Sequence, residues 1–188
     1  MKKILLFCTI FHLNNYGLLA QNLIYNLPES AIIVRLQTNE NLINYHRQKG
    51  NHHIANKETI KQREKNTEII NTFTEDWEFC PVYFFYSNHS KEIINKNFKH
   101  VFKNHEDYSL SNKEKQKLEN DFIIMYFGQT QGKLKFDALV LNDSKMQQLE
   151  KPYPKFIRTY KGLGFLKRNT KKIVRILNQK ISWHYDNK

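Results

Sequence analysis

The feature that most constrains the fold is a continuous apolar run over residues 81–87, PVYFFYS. Aromatic and β-branched residues of this kind favour a β-strand. Because the apolar residues are continuous and do not alternate with polar ones, the strand is expected to be covered on both faces. Strands of that type occur in the middle of α/β sheets. The run therefore predicts an α/β fold in which this strand is central.

The other apolar segments predict a single domain over residues 21–188, with a mixed sheet flanked by helices. The first two strands are joined by a helical crossover and are expected to be parallel. The strands at 122–127 and 136–141 are expected to form an antiparallel hairpin. Further strands are predicted at 31–37, 146–149 and 155–160, and helices at 41–45, 57–77, 91–95, 112–120 and 165–183.

This order, β-α-α-β-α, an irregular segment and then β-β-β-α, resembles that of a thioredoxin-like fold with insertions. The sequence has no CxxC motif, and no proline directly precedes Phe136, where that family carries its cis-proline. The resemblance therefore concerns strand order alone and implies no redox function. Residues 79–87 and 152–159 also resemble segments of short exported proteins of unknown function from Bacteroidota. That resemblance implies no particular activity.

The first 20 residues, MKKILLFCTIFHLNNYGLLA, are typical of a signal peptide. Lys2 and Lys3 provide the positive start, and Ala20 provides a small residue before the expected cleavage point. The apolar run between them is too short to span a membrane, and no other segment is long enough. We expect a periplasmic or extracellular protein that begins near Gln21. The alternative is that this segment is a buried first strand of a cytosolic domain.

Cysteine usage predicts no intramolecular disulfide in the exported protein, because removal of Cys8 leaves Cys80 alone. Cys80 lies in the apolar segment WEFCPVYFF and is expected to be a buried structural thiol. The alternative, a reactive nucleophile, requires a neighbouring histidine or cation, which the local sequence does not supply.

The formal net charge is +12, and the positive charge is concentrated near the C-terminus. Residues 151–180 contain ten cations and no acidic residue. We expect an anion site where the loop after the last strand enters the final helix, because free N–H groups and the helix dipole attract anions there. The alternative is an ordinary solvated helix face, and codon bias toward lysine also contributes to the charge. The candidate site residues are Arg158, Lys161, Gly162, Gly164, Lys167 and Arg168.

No motif identifies catalytic chemistry. The eight histidines are scattered without HxxxH or HExxH spacing, and no P-loop, GxGxxG or GxSxG occurs. We therefore expect no metal ion and no cofactor.

The favoured function is non-catalytic binding of an anionic polymer or a partner protein in the cell envelope. The alternative is an enzyme of a thioredoxin-like or related α/β fold that acts on a phosphate-bearing ligand. Its site would lie on the loops near Ser87–Asn88 and Gly162–Gly164. Nucleic acid is not expected as a partner, because export argues against it and the aromatic residues mostly occupy strand positions.

Overall fold

The computed structural model describes Leu27 and residues 30–104, 110–120, 122–150 and 154–186. The predicted signal peptide, residues 1–20, lies outside the described residues. Within them, the chain forms one five-stranded mixed sheet with helices on both faces, which confirms the predicted α/β class. None of the helices in these ranges has the length and apolar character that crossing a bilayer requires.

The element order follows the prediction with one exception. Residues 146–149 form no strand, and Gln148 makes a single bridge to Asn142. Short 3-10 turns at Ser87–His89 and Gly164–Leu166 lie between the regular elements. The strands are β1 (Ala31–Leu36), β2 (Val82–Tyr86), β3 (Phe122–Gln129), β4 (Asp137–Asn142) and β5 (Phe156–Arg158). The helices are α1 (Glu40–Gln48), α2 (His52–Asp76), α3 (Ser90–Ile94), α4 (Asn112–Asn120) and α5 (Thr170–Asp186).

The strand order in the sheet is β2-β1-β3-β4-β5. β1 pairs in parallel with both β2 and β3, so the predicted parallel crossover is confirmed. β4 pairs antiparallel with β3, as the predicted hairpin requires, and antiparallel with β5. β1, β2, β3 and β5 therefore end at the same edge of the sheet. The loops that follow them lie along that edge.

β1 is the strand that is buried most evenly on both faces. Ile32, Val34 and Leu36 belong to an apolar cluster with residues of α2 and α5. Ala31 and Ile33 belong to a second cluster with residues of α3 and α4. Successive strand side chains point to opposite faces, so both faces of β1 must be apolar when helices cover both.

β2 lies at the edge of the sheet, so the prediction that residues 81–87 form a middle strand is wrong. Its side chains are nevertheless covered on both faces, with Phe84 in the first cluster and Tyr83 and Phe85 in the second. Phe102 lies along its outer edge and exchanges two backbone hydrogen bonds with Phe84, of 2.8 and 3.0 Å. A continuous apolar run therefore indicates that both faces of a strand are packed against other elements. An edge strand can also be packed on both faces.

The final helix begins at Thr170 and not at the predicted Phe165. Leu166, expected on its apolar face, is 48% exposed in the preceding 3-10 turn. The backbone N–H of Arg168 donates to the carbonyl oxygen of Thr159 at 2.9 Å, which keeps the chain outside the helix. The other predicted contacts of this face are confirmed, since Ile173, Val174, Leu177 and Ile181 are buried in the first cluster.

Candidate anion-binding surface

The loop between β5 and α5 is held closed at its ends. The N–H of Thr159 donates to the carbonyl oxygen of Asp137 at 2.9 Å, and Arg168 donates back to Thr159. Gly162 and Gly164 have φ angles of 85° and 43°, which glycine adopts without a side-chain clash. Residues 161–167 of this loop are all exposed. The sequence-predicted site residues thus lie on and beside a solvent-exposed turn.

Arg158 and Arg168 lie beside the same aromatic ring. Their guanidinium carbons are 5.1 and 4.7 Å from the ring centroid of Tyr160. Arg158 also lies 3.9 Å from the ring centroid of Phe136, and Arg168 Nη1 donates to the carbonyl oxygen of Arg158 at 3.1 Å. These cation–π contacts and this hydrogen bond hold both side chains in place. The structure therefore brings the two arginines together, and the guanidinium group of each already contacts other groups of the protein.

Some backbone amides of the loop and helix start form hydrogen bonds within the protein. In the turn, the N–H groups of Leu163, Leu166 and Lys167 bond to carbonyl oxygens of the same turn. At the helix start, Asn169 Oδ1 accepts the N–H of Lys172 at 2.8 Å, which is a side-chain N-cap. These four amides are therefore not free to bind an anion. At their positions an anion would be held by side chains.

Glu68 of α2 also occupies the start of α5. Its carboxylate forms hydrogen bonds with both the side chain and the backbone of Thr170. Lys65 Nζ joins this group at 2.9 Å from Glu68 Oε2 and 2.8 Å from Thr170 Oγ1. Burial opposes ionisation of Glu68, but the hydrogen bonds from Thr170 and Lys65 outweigh it, and the pKa of Glu68 is lowered. A carboxylate of this chain thus already takes the favourable place at the helix N-terminus.

A cleft of about 460 Å³ between the end of α2 and the start of α5 concentrates cations. Lys171 Nζ lies 3.3 Å from Asp76 Oδ1, a mostly exposed ion pair of small energy. Lys167, Lys172 and Arg175 have no carboxylate within 4.0 Å among the described residues. The cleft is lined by Asp76, Glu78, Lys167, Asn169, Lys171, Lys172, Arg175 and Asn178.

Two buried oxygens of residues that line this cleft, Asp76 Oδ2 and Asn178 Oδ1, have no hydrogen-bond partner among the residues that the structure describes. Asn178 is 6% exposed, and its Nδ2 donates to the backbone oxygen of Asp76 at 2.6 Å, which sets the orientation of the amide. A buried acceptor without a donor costs free energy. Both oxygens are shielded from solvent, so a ligand in the open cleft does not reach them unless the side chains move. The accessible charged groups of the cleft are its cations, which attract an anionic group.

Of the predicted site residues, Lys167 is the one that lines this cleft. Lys161 lies with Gly162 and Gly164 in the exposed turn, and Arg158 and Arg168 surround Tyr160. The structure thus divides the predicted site into a turn, an arginine pair and a cleft. Sequence reasoning counted the cleft residues Lys171, Lys172 and Arg175 among the cations but did not assign them to a site. Their i,i+3 and i,i+4 spacing would have grouped them if the helix had been started at Asn169.

A second cavity, of about 420 Å³, lies at the C-terminal ends of β1 and β2. The loops that follow β1 and β2 meet there, and the N–H of Thr38 donates to Ser87 Oγ at 3.2 Å. Gln62 and Arg63 of α2 also line this cavity. Ligands of α/β sheets commonly bind outside the carboxyl ends of the strands.

The loop after β5 ends at the same sheet edge but lies four strand spacings from β2, about 19 Å away. Neither the 420 Å³ cavity nor the 460 Å³ cleft is lined by both the Ser87 loop and the Gly162–Gly164 loop. The loops named for the alternative enzyme function therefore lie beside two separate depressions.

No family model, curated protein or solved structure matches this chain. The fold and the site define an α/β protein with a mixed five-stranded sheet and a cationic surface formed by α5 and the loop that precedes it.

Proposed function

We propose that this protein is exported to the cell envelope and binds an anionic polymer without catalysis. The observation that carries the proposal is the cleft between α2 and α5. There Lys167, Lys172 and Arg175 lack carboxylate partners within the described part of the chain. Export is inferred from the signal-peptide character of residues 1–20.

The distribution of the cations favours a polymer over a small anion. From Lys171 to Arg175, exposed cations of the cleft extend about 6 Å along α5 at 1.5 Å per residue, and Lys167 lies on the loop before the helix. A chain with regularly repeated negative charges can contact several of these cations at once, whereas a single phosphate contacts fewer of them.

The test is heparin binding to the chain beginning at Gln21, measured by calorimetry at increasing NaCl concentration. Each neutralised cation should contribute roughly −0.7 to −0.9 to the slope of log affinity against log salt, as for polyanions with condensed counterions. The three cations without a carboxylate partner, Lys167, Lys172 and Arg175, then predict a slope of about −2 to −3. A slope near zero would refute the proposal.

The decisive variant is the double substitution Lys172→Gln and Arg175→Gln, because both side chains are exposed and lie off the buried face of α5. We expect the slope to become less steep by about 1.5 and the melting temperature to stay unchanged. The matched control is Lys113→Gln with Lys115→Gln, which removes the same charge from exposed positions of α4. Equal loss of affinity in the two double variants would show that net charge alone is responsible.

A partner protein is the second candidate ligand, and one specific observation favours it. The turn between β5 and α5 exposes Leu163, Phe165 and Leu166, and Phe165 is 97% exposed. Exposed apolar groups of this kind contribute to protein interfaces. Phe165→Ser should leave heparin affinity unchanged if the polymer proposal is right. Loss of heparin binding in that variant would contradict this expectation and place Phe165 in the polymer-binding surface.

The alternative enzyme function is supported by the 420 Å³ cavity at the ends of β1 and β2, where Arg63 and Thr38 could hold a phosphate group. If this cavity binds phosphate groups, phosphate buffer should raise the melting temperature of the protein. The substitution Arg63→Gln should abolish that increase. The cleft variants should have no effect on it, so the two functions are separable.

A further inference from the structure

Two histidines that share no sequence motif lie close to the same carboxylate, that of a glutamate in α3. His89 ends the 3-10 turn after β2, Glu92 follows one turn later in α3, and His100 returns from the loop beyond the helix. His89 Nδ1 lies 2.9 Å from Glu92 Oε1, and His100 Nε2 lies 3.5 Å from Glu92 Oε2. The two imidazole rings are stacked, with centroids 3.8 Å apart and planes at 14°. The sequence interpretation that all histidines are scattered is therefore wrong for this pair.

The backbone around this cluster is anchored by the core. Ile93 of α3 is buried next to Glu92, and Phe98, Val101 and Phe102 are buried on either side of His100. Phe102 is further held by its two backbone hydrogen bonds to Phe84. Three polar side chains are thus presented from rigid positions, which lowers the cost of ordering them around a ligand.

The distances suit a metal ion after a small adjustment. One ligand atom from each of the three residues lies within 4.8 Å of the others. Four ligands at about 2.0–2.1 Å around a tetrahedral zinc ion are about 3.4 Å apart, so the most distant pair must close by at most roughly 1.4 Å. Rotation of the partly exposed imidazole of His100 can supply this movement.

The donor set and its surroundings define the metal class. Imidazole nitrogen with carboxylate oxygen suits zinc and neighbouring divalent transition metals, and three protein ligands leave a position for water. The hydrogen bond with His89 lowers the pKa of Glu92, against a smaller effect of burial, so the carboxylate is ionised at neutral pH as a ligand must be. Lys99 also acts electrostatically on Glu92 and weakens cation binding.

We propose that His89, Glu92 and His100 form a binding site for a divalent transition-metal ion of the zinc class. The positions of the ring nitrogens support this, because one nitrogen of each histidine already faces the carboxylate of Glu92. The site lies on α3 and its following loop, outside the cleft between α2 and α5. It does not depend on the proposed polymer binding.

The test uses EDTA-treated protein beginning at Gln21, titrated with zinc chloride near pH 7.5 and followed by calorimetry and thermal unfolding. One zinc ion per chain should bind, and a zinc concentration of 100 times the dissociation constant should raise the melting temperature by roughly 5–10 °C. Because zinc displaces protons from the imidazoles, the effect should disappear near pH 5.

The variants His100→Asn and Glu92→Gln should each weaken zinc binding by more than about tenfold. Their melting temperatures without zinc should stay near that of the parent, which separates ligand loss from misfolding. His53→Asn, at an exposed position of α2, is the matched control and should bind zinc normally. Zinc binding that survives in His100→Asn, or that is lost in His53→Asn, would place the ion elsewhere and overturn the proposal. Absence of zinc binding in the parent protein would do the same.

Discussion

Cys80 should react with a thiol reagent at pH 8 about 100 times more slowly in the native protein than in the denatured chain. Burial raises the pKa of the Cys80 thiol to about 11, although hydrogen bonds with Trp77 and Ile32 and the charge of Lys117 act in the opposite direction. The thiolate is the reactive form. A rise of about two units above an unperturbed cysteine reduces the thiolate fraction by about 100-fold at any pH below both values.

The surroundings of Cys80 explain this shift. The residue is partly buried and packs against the first apolar cluster together with Phe79. Trp77 lies over the same segment, and its Nε1 donates to the carbonyl oxygen of Cys80 at 3.0 Å. The prediction of a structural thiol is therefore supported by packing, although the side chain is less completely buried than the sequence suggested.

The assay compares the rate of thiol release from a chromogenic disulfide with native protein and with protein in guanidinium chloride. In the chain beginning at Gln21, Cys80 is the single thiol, and Cys80→Ala gives the background. A native rate within about threefold of the denatured rate would refute the reasoning and indicate a functional thiol.

The same shift predicts how stability depends on pH. The folded-state pKa is raised, so the contribution of Cys80 to the free energy of unfolding is fully present below about pH 9. It is lost as pH rises toward 11, where the unfolded chain releases its proton first. The loss should approach about 3 kcal/mol. Burial also raises the pKa of Tyr83 to about 12, so the quantity to measure is the difference between the parent and Cys80→Ala across this range.

Two further predictions concern α5. Leu177→Ala should lower the free energy of unfolding by about 2–5 kcal/mol, because Leu177 is fully buried against the sheet. Ile60 is largely exposed, so Ile60→Ala should change the free energy of unfolding by less than about 0.5 kcal/mol. Both variants are measured by denaturant unfolding, and equal effects would contradict the packing of α5. Asn169→Ala should cost about 1 kcal/mol through loss of the N-cap, and Asn169→Asp should restore it because a carboxylate also accepts the Lys172 N–H. A destabilised Asn169→Asp variant would argue against capping.

The sequence predicted those elements in which the local pattern of apolar residues agrees with burial in the folded protein. The apolar runs located β1, β2, β3 and β4, and Gly50 correctly separated the first two helices. The predicted turn from Gly128 began too early, because Gly128 and Gln129 still pair with β4. Apolar continuity did not reveal the strand order, because helices cover both faces of an edge strand as well as of a central one. The choice of partner for the outer edge of β2 depends on Phe102, in a segment that the sequence shows only as irregular.

The start of α5 could not be predicted from periodicity, because Leu166 fits the helical spacing of Ile173 and Leu177. The competing interaction is the hydrogen bond from Arg168 to Thr159, which joins residues on opposite sides of a turn. The N-cap preference of Asn169 was the local signal that favoured the later start. The His89–Glu92–His100 cluster could not be predicted from the sequence either. The position of His100 depends on the path of its loop, which the buried residues Phe98 and Phe102 determine.

The distribution of the cations also changes what the charge of the chain implies for binding. Ten cations between residues 151 and 180 suggest a large uniform patch. In the structure, Arg158 and Arg168 contact Tyr160, and Lys171 contacts Asp76, so these side chains already interact within the protein. A patch in which all ten cations bound a polyanion would give a salt slope of about −7 to −9, whereas the cleft predicts about −2 to −3. The slope therefore distinguishes a defined site from attraction to the whole basic segment, which measurement of affinity at one salt concentration cannot do.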